Sequence, residues 1–221
     1  METAIVPLML SLQVAFWATL VNAILGVALG WWLAQKSTKF REFIDVVATL
    51  PMVLPPTVLG YYLLVLFGSR TGLDNWLFDT FGFRMIFSIN GAIIASIVAT
   101  FPLVFRPARA AFEAVNIEYS QVSWVLGVSK VSTFFRIVLP LAWRGVLAGL
   151  LLGFVRCMGE FGATLMVAGS IPGRTQTLSI AIYEAVQAGR DTEVTQLVML
   201  ISAVCVAVLL LSNYLSPRKP S

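Results

Sequence analysis

The chain has 221 residues, of which 58% are hydrophobic and 12% are charged, and its net charge is +4. Ordinary soluble domains carry roughly 25% charged residues, so this composition excludes a soluble protein and indicates a membrane protein. The small positive charge comes from loops, so it informs topology and does not indicate a nucleic-acid partner. The length predicts a single transmembrane domain over residues 1–221, with no separate soluble domain.

Five apolar segments are long enough to cross a bilayer, whose hydrocarbon core of about 30 Å takes roughly 20 helical residues. They are approximately Leu8 to Ala34, Ile44 to Phe67, Ser88 to Phe105, Gly145 to Gly169 and Val194 to Leu215. The first segment is too long for a cleaved signal peptide and has no basic region before it. The runs are continuous rather than alternating, which favours helices over the strands of a membrane barrel. The sequence therefore predicts an all-α polytopic membrane protein with five transmembrane helices.

Basic residues are concentrated after the first, third and fifth segments. They are Lys36, Lys39, Arg41, Arg106, Arg109, Lys130, Arg136, Arg144, Arg218 and Lys219. The other loops carry only Arg70, Arg84, Arg174 and Arg190, mixed with acidic residues. By the positive-inside rule the basic loops are cytoplasmic, so we expect the N-terminus outside and the C-terminus in the cytoplasm.

Two rows of glycine mark helix faces that allow close backbone approach. Gly26 and Gly30 lie in the first segment, and Gly145, Gly149 and Gly153 lie in the fourth, each at four-residue spacing. We favour packing between helices of one chain. The alternative is a dimer contact or a pore-lining face that slides during opening.

Prolines interrupt two of the segments. Pro51, Pro55 and Pro56 in the second remove backbone donors at membrane depth. They predict either a broken helix beside a translocation route or a kink that serves packing. Pro102 and Pro107 shape the third segment and are expected to help end it.

The loop over residues 107–144 contains a stretch, Gln121 to Pro140, that is too amphipathic for a flexible tether. Gly127 is expected to end one short helix and Ser129 to begin another, because glycine adopts positive φ without a Cβ penalty. Phe134, Phe135 and Ile137 then add an apolar ridge, and Leu139-Pro140 is expected to stop the second helix. We interpret the stretch as a binding surface for a partner.

Arg156 and Glu160 in the fourth segment are four residues apart and can share a helix face. Ionisable residues in a membrane face protein or water, so they form either a buried structural ion pair or part of a substrate route. Beyond them, Leu178 to Val186 is expected to form a short helix. Together with Ser69 to Ile86 it would make the external face.

Several chemistries are excluded by residues that the chain lacks. It contains no histidine, which rules out a Ser-His-Asp triad and a histidine metal site. Gly127-Val-Ser-Lys130 has neither the spacing nor the preceding strand of a phosphate-binding loop, so the chain cannot hydrolyse ATP by itself. Cys157 and Cys205 lie in apolar segments and indicate no disulfide framework.

Three sequence motifs together resemble a known family. Gly127, Ile137, Leu139 and Pro140 fall at the spacing of the cytoplasmic signature of bacterial ABC importer permeases, with Gln121, Val122 and Ser123 where Glu-Ala-Ala would stand. The Leu-Pro-Met-Val-Leu-Pro-Pro stretch that ends at Pro56 is similar to molybdate permeases. The Gly-Glu-Phe-Gly-Ala string from Gly159 and the later Ile171-Pro172-Gly173 are similar to the molybdate and sulfate permeases. The resemblance covers nearly the whole chain and implies the type I importer fold, with short cytoplasmic coupling helices.

The resemblance also implies a function and partners. The chain would be a homodimeric inner-membrane permease for molybdate, possible also for tungstate, moving the oxyanion by alternating access. Two copies of a separate ATPase subunit would bind ATP and Mg, since this chain would hold no cofactor or metal and have no catalytic residue. A periplasmic or extracellular oxyanion-binding protein would dock on the external face.

The resemblance assigns two sets of residues. Those expected to couple to the ATPase are Gln121, Val122, Ser123, Leu126, Gly127, Val128, Phe134, Phe135, Ile137, Leu139 and Pro140. Those expected at the translocation path or gate are Pro55, Pro56, Arg156, Gly159, Glu160, Phe161 and Gly162.

Other functions stay open. The anion could be sulfate or another oxyanion. A secondary transporter or channel would need no ATPase, but no inverted repeat is detectable. An intramembrane hydrolase is remoter, because no nucleophile and base stand at helical spacing.

Overall fold

The computed structural model describes residues 2–35, 37–68 and 71–215, and the regular structure of these residues is entirely helical. Lys36, Ser69, Arg70, Arg218 and Lys219, on which part of the topology argument and one end of the external segment rest, lie outside these residues. The helices are α1 (Glu2–Ala34), α2 (Lys39–Val53), α3 (Pro56–Phe67), α4 (Leu73–Phe81), α5 (Ile89–Glu113), α6 (Ile117–Val125), α7 (Lys130–Thr133), a π-helical turn (Phe134–Val138), α8 (Leu139–Met158), α9 (Gly162–Ala168), α10 (Leu178–Gln187) and α11 (Asp191–Leu215).

Four helical runs are long and apolar enough to cross a membrane. They are Ala4–Ala34, Ile89–Glu113, Lys130–Met158 and Asp191–Ser212. Helices α2 and α3 pass the same test only as a pair, and they are bent by 112° relative to each other. The predicted number of five is reached if this bent pair counts as one span. The bend at Leu54 and Pro55 confirms that the second segment is a broken helix.

Two of the predicted helix ends are wrong. Helix α5 continues through Pro102 and Pro107 to Glu113, because α1 and α8 pack along it and support the interrupted backbone. Pro140 does not end a helix either, although a proline ring collides with the carbonyl four residues earlier. The π-helical turn before it, in which the Leu139 N–H bonds to the Phe134 carbonyl, is wider and makes room for the ring.

The fourth span is displaced from its predicted position. The helical run begins at Lys130 and ends at Met158, and α9 follows as a separate short helix. Gly159 and Glu160 make the break. The Glu160 Oε1 atom accepts the N–H of Ala163 at 3.2 Å and so caps α9. A continuous apolar pattern could not show this capping interaction.

The core is built around α5, which packs against α1 and α8. Both glycine rows face α5. A Cβ added at Gly30 would lie 3.0 Å from the backbone nitrogen of Arg109, and one at Gly145 would lie 2.5 Å from the Cβ of Ala111. The structure thus uses both rows for packing within one chain, which was the favoured interpretation.

Polar side chains also join the core helices. The Asn22 side chain of α1 is fully buried and donates to Thr100 Oγ1 of α5 at 3.0 Å and to the Ile97 carbonyl at 3.2 Å. At the end of the bundle away from α6, the buried Ser11 Oγ of α1 accepts the N–H of Leu178 at 2.7 Å. That bond satisfies one free donor of α10, whose observed position confirms the predicted short helix.

Helix α2 lies on the outside of the bundle and has no buried residue. It is held to α5 by polar contacts: Arg109 pairs with Asp45 at 2.9 Å, and the Arg106 Nε donates to Thr49 Oγ1 at 3.2 Å. Through α2, the chain reaches the sharp bend at Pro55 that forms one wall of the cavity described below.

Candidate functional site

The segment from α6 to α7 forms a tight turn that projects from one end of the bundle. Gly127 has a φ of +81° and ends α6, as predicted. The Val128 N–H then bonds to the Ser123 carbonyl at 3.0 Å, which satisfies a carbonyl at the helix end. Ser129 begins α7, its Oγ accepting the N–H of Ser132 at 3.3 Å.

The outer surface of this turn is apolar and exposed. We call the exposed apolar side chains of this turn and of the helix that follows it the coupling apex, which comprises Val122, Val125, Leu126, Val131 and Phe135. Val125 is 87% exposed and Leu126 is 75% exposed. Such a contiguous apolar surface outside the membrane-length segments indicates a site for a protein partner.

The base of the turn is fixed by aromatic packing. Phe134 is buried, with its ring centroid 4.4 Å from that of Trp31 in α1 and 5.7 Å from that of Phe112 in α5. Aromatic pairs at such distances are stabilising beyond their buried area. The coupling apex therefore stands on the same two helices that form the core.

A second site is a cavity of about 650 Å³ at the bend between α2 and α3. It is lined by Pro51, Met52, Leu54, Pro56, Leu59, Ala99, Leu103, Leu152, Val155, Arg156, Gly159 and Glu160. Ala99 and Leu103 lie on either side of the midpoint of α5, which places the cavity near the middle of the spans.

Arg156 and Glu160 form an ion pair at this cavity, with 2.8 Å between Nη1 and Oε2. The Glu160 side chain is 1% exposed, whereas that of Arg156 is 42% exposed. Each charge offsets the cost of holding the other away from bulk water. The sequence had left open whether the residues pair; in the structure they do, and both line a cavity.

The two sites occur in a chain whose sequence matches a known transport family. The model of that family, described as the binding-protein-dependent transport system inner membrane component, matches residues 26–219. The chain belongs to this family. The resemblance to ABC importer permeases is thereby confirmed, and the protein is a multi-pass membrane permease.

Curated relatives of the permease are similar over most of its length. It is 41% identical to the molybdenum transport system permease protein of Haemophilus influenzae, over 95% of this chain and 92% of that protein. It is 40% identical to the putative molybdenum transport system permease protein of Bacillus subtilis, over 84% of this chain and 82% of that protein. It is 33% identical to the probable sulfate transport system permease protein of Chlorella vulgaris, over 81% of this chain and 67% of that protein.

Solved structures share the fold of the permease. A chain of the inward-facing methionine ABC transporter superposes with a TM-score of 0.74 at 13% identity, over 98% of both chains. A chain of a bacterial alginate ABC transporter, solved with its periplasmic protein, gives a TM-score of 0.77 at 17% identity, over 99% of this chain and 80% of that one. The all-helical importer permease fold is therefore confirmed.

The residues predicted for coupling point in different directions. Gln121, Val122, Leu126, Gly127, Phe135 and Pro140 are exposed, Val128, Ile137 and Leu139 are half-buried, and Ser123 and Phe134 are buried. The last two can support the coupling apex only from within. Val125, the most exposed apolar residue of the apex, was missed. Helical phase could have identified it, because Ser120 and Ser123 mark the inner face of α6.

The residues predicted for the path are partly brought together. Pro56, Arg156, Gly159 and Glu160 line the cavity, while Pro55, Phe161 and Gly162 are not part of its lining. Phe161 instead lies beside Tyr183 of α10, with 5.0 Å between the ring centroids. A Cβ at Gly162 would lie 3.0 Å from the Pro56 Cβ, so this glycine allows α9 to approach α3 closely.

Proposed function

We propose that this permease is the transmembrane subunit of an ATP-driven importer for molybdate, and for the closely similar tungstate. Two copies would form the path between them, and each would bind one ATPase subunit that holds ATP and Mg. A periplasmic or extracellular oxyanion-binding protein would deliver the anion. The names of the relatives from Haemophilus influenzae and Bacillus subtilis support molybdenum as the cargo.

The observation that carries this proposal is the coupling apex. Exposed Val125 and Leu126 stand on a turn that is fixed from within by Phe134, so the apolar surface is presented rather than mobile. A preorganised apolar surface is suited to insertion into a cleft of a partner. We assign that cleft to the ATPase subunit, because this chain has no phosphate-binding loop of its own.

A continuous helical run connects the two sites. It extends from Lys130, beside the coupling apex, to Met158, and it includes Arg156 in the cavity. At 1.5 Å per residue the distance from Lys130 to Arg156 is about 39 Å. Movement of the apex would therefore be transmitted to the cavity wall as a rigid-body motion.

The mechanism we propose is alternating access. Closure of the ATPases around ATP would draw the two coupling apices together and open the path outward, and hydrolysis would reverse this. In this arrangement the coupling apex and the C-terminus are cytoplasmic and the N-terminus is outside. The external face would include α4 and α10, which lie at the other end of the bundle.

The second candidate cargo is sulfate, favoured by the relative from Chlorella vulgaris. The deciding experiment is ATP hydrolysis by the permease reconstituted with its ATPase and with binding protein loaded with molybdate, tungstate or sulfate. Stimulation by loaded molybdate alone, or by molybdate and tungstate, supports the proposal. Stimulation by sulfate alone would replace the cargo, and failure to form a complex would return attention to an ATP-independent transporter.

A further inference from the structure

Arg156 and Glu160 are the only charged residues among the described residues that line the central cavity. The rest of the lining consists of apolar side chains and Gly159. An oxyanion that enters such a cavity loses water, and the lost hydrogen bonds must be replaced by donors of the protein. The guanidinium of Arg156 is the charged donor that the cavity offers.

The two members of the ion pair are held very differently. Glu160 is fixed: its Oε1 accepts the Ala163 N–H at 3.2 Å, its own N–H donates to the Cys157 carbonyl at 3.1 Å, and its side chain is 1% exposed. Arg156 approaches Glu160 at 2.8 Å through Nη1, and its side chain is 42% exposed. A guanidinium has five N–H donors, so most of its donors remain available to a ligand.

We propose that Arg156 binds the tetrahedral oxyanion during its passage, and that Glu160 is a built-in competitor that keeps this contact weak. The inference rests on the proposed function and goes beyond it by giving the two residues opposite effects on one binding step. A guanidinium can bind two oxygens of an oxyanion at once. The adjacent carboxylate repels the same anion and retains one of the donors.

Weak binding has a physical advantage in a transport path. A site must be favourable enough for the ion to enter and weak enough for it to leave. With Glu160 in place the empty cavity carries no net charge, so it does not hold anions permanently. The carboxylate cannot move away easily, because it also caps α9.

The test uses three variants of the permease in complex with its ATPase. Glu160→Gln keeps an Oε1 atom to accept the Ala163 N–H and removes only the charge. Arg156→Gln removes the cation, and Arg156→Lys keeps the charge without the two-pronged geometry. Arg144→Gln is the matched control, because Arg144 is an exposed arginine of the same helix outside the cavity lining.

Binding of radiolabelled molybdate to the complex is measured without the binding protein, and transport is measured with it. We expect Glu160→Gln to bind molybdate at least tenfold more tightly than the native complex and to transport it several-fold more slowly. Arg156→Gln should lower both binding and transport at least tenfold, Arg156→Lys should lie between it and the native complex, and the Arg144→Gln control should be unchanged.

Other results would overturn the inference. Unchanged molybdate binding in Glu160→Gln, or equal binding by Arg156→Lys and the native chain, would do so. Recovery of transport in the double variant with both glutamines would also do so, because it would indicate a purely structural pair. The proposed function fails separately, if no loaded binding protein stimulates the native complex; the inference fails if stimulation is normal and the Arg156 variants behave like the native chain.

Discussion

The hydroxyl groups of Ser123 and Thr133 lie 2.8 Å apart across the Gly127 turn, and both side chains are buried. Thr133 donates its proton to the Ser129 carbonyl at 3.0 Å, so Ser123 is the donor in the bond between the hydroxyls. This bond joins α6 to α7 beneath the coupling apex, where it holds the two short helices in one shape.

We expect Ser123→Ala to destabilise the α6–α7 segment by about 1 kcal/mol, the net value of one hydrogen bond. Thr133→Val should cost more, about 1–3 kcal/mol, because it leaves a buried donor without its acceptor. Hydrogen exchange of the Val128 amide, which bonds to the Ser123 carbonyl, measures both effects. The control is Ser132→Ala, whose hydroxyl lies outside this bond. Equal protection in all three variants would contradict the prediction.

Substitutions at Gly127 should act through the backbone alone. Its φ is +81°, and no atom lies within 4 Å of the position of an added Cβ. Asparagine tolerates this conformation, whereas a β-branched residue strains it by about 1–2 kcal/mol or more. Coupled transport should therefore fall in the order Gly127→Asn, Gly127→Ala, Gly127→Val, while membrane insertion stays normal. Normal uptake by the valine variant would count against the docking assignment.

Val125→Asp should weaken binding of the ATPase subunit at least tenfold. The valine is 87% exposed, so the change costs little in the free permease, but in the complex it would bury an unpaired charge. Val125→Thr has nearly the same shape and should cause a much smaller loss. Affinity of the purified ATPase for permease in detergent or nanodiscs distinguishes the two. If the aspartate variant bound as tightly as the native chain, the apex would lie outside the interface.

Gly145→Ala should destabilise the bundle by about 1–3 kcal/mol through overpacking. The added Cβ would lie 2.5 Å from the Cβ of Ala111, whereas a Cβ at Gly26 would have no neighbour closer than 3.4 Å. Gly26→Ala is therefore the matched control and should be nearly neutral. Thermal unfolding in detergent measures the difference. Adding Ala111→Gly to Gly145→Ala should restore stability, and absence of that rescue would show that another contact is responsible.

Local rules of sequence were sufficient for much of this fold. The apolar runs predicted the spans, because a bilayer admits only segments of sufficient length and hydropathy. Gly127 predicted the turn before Ser129, since its conformation depends on the residue itself and not on its neighbours. The three prolines of the second segment likewise predicted a broken helix, which the bend of 112° confirms.

Tertiary structure decided where side chains point and where helices end. Pro107 and Pro140 do not stop their helices, because packing by α1 and α8 supports the first and a π-helical turn accommodates the second. Phe134 lies inside and Val125 outside, a choice made by the position of Trp31 about a hundred residues away in the chain.

The ion pair shows the same division most clearly. The spacing of Arg156 and Glu160 made a contact possible. Only the folded chain buries the carboxylate, gives it the Ala163 N–H and leaves the guanidinium exposed to a cavity. That asymmetry arises from the break between α8 and α9 and from the walls supplied by α2, α3 and α5, which no local pattern contains.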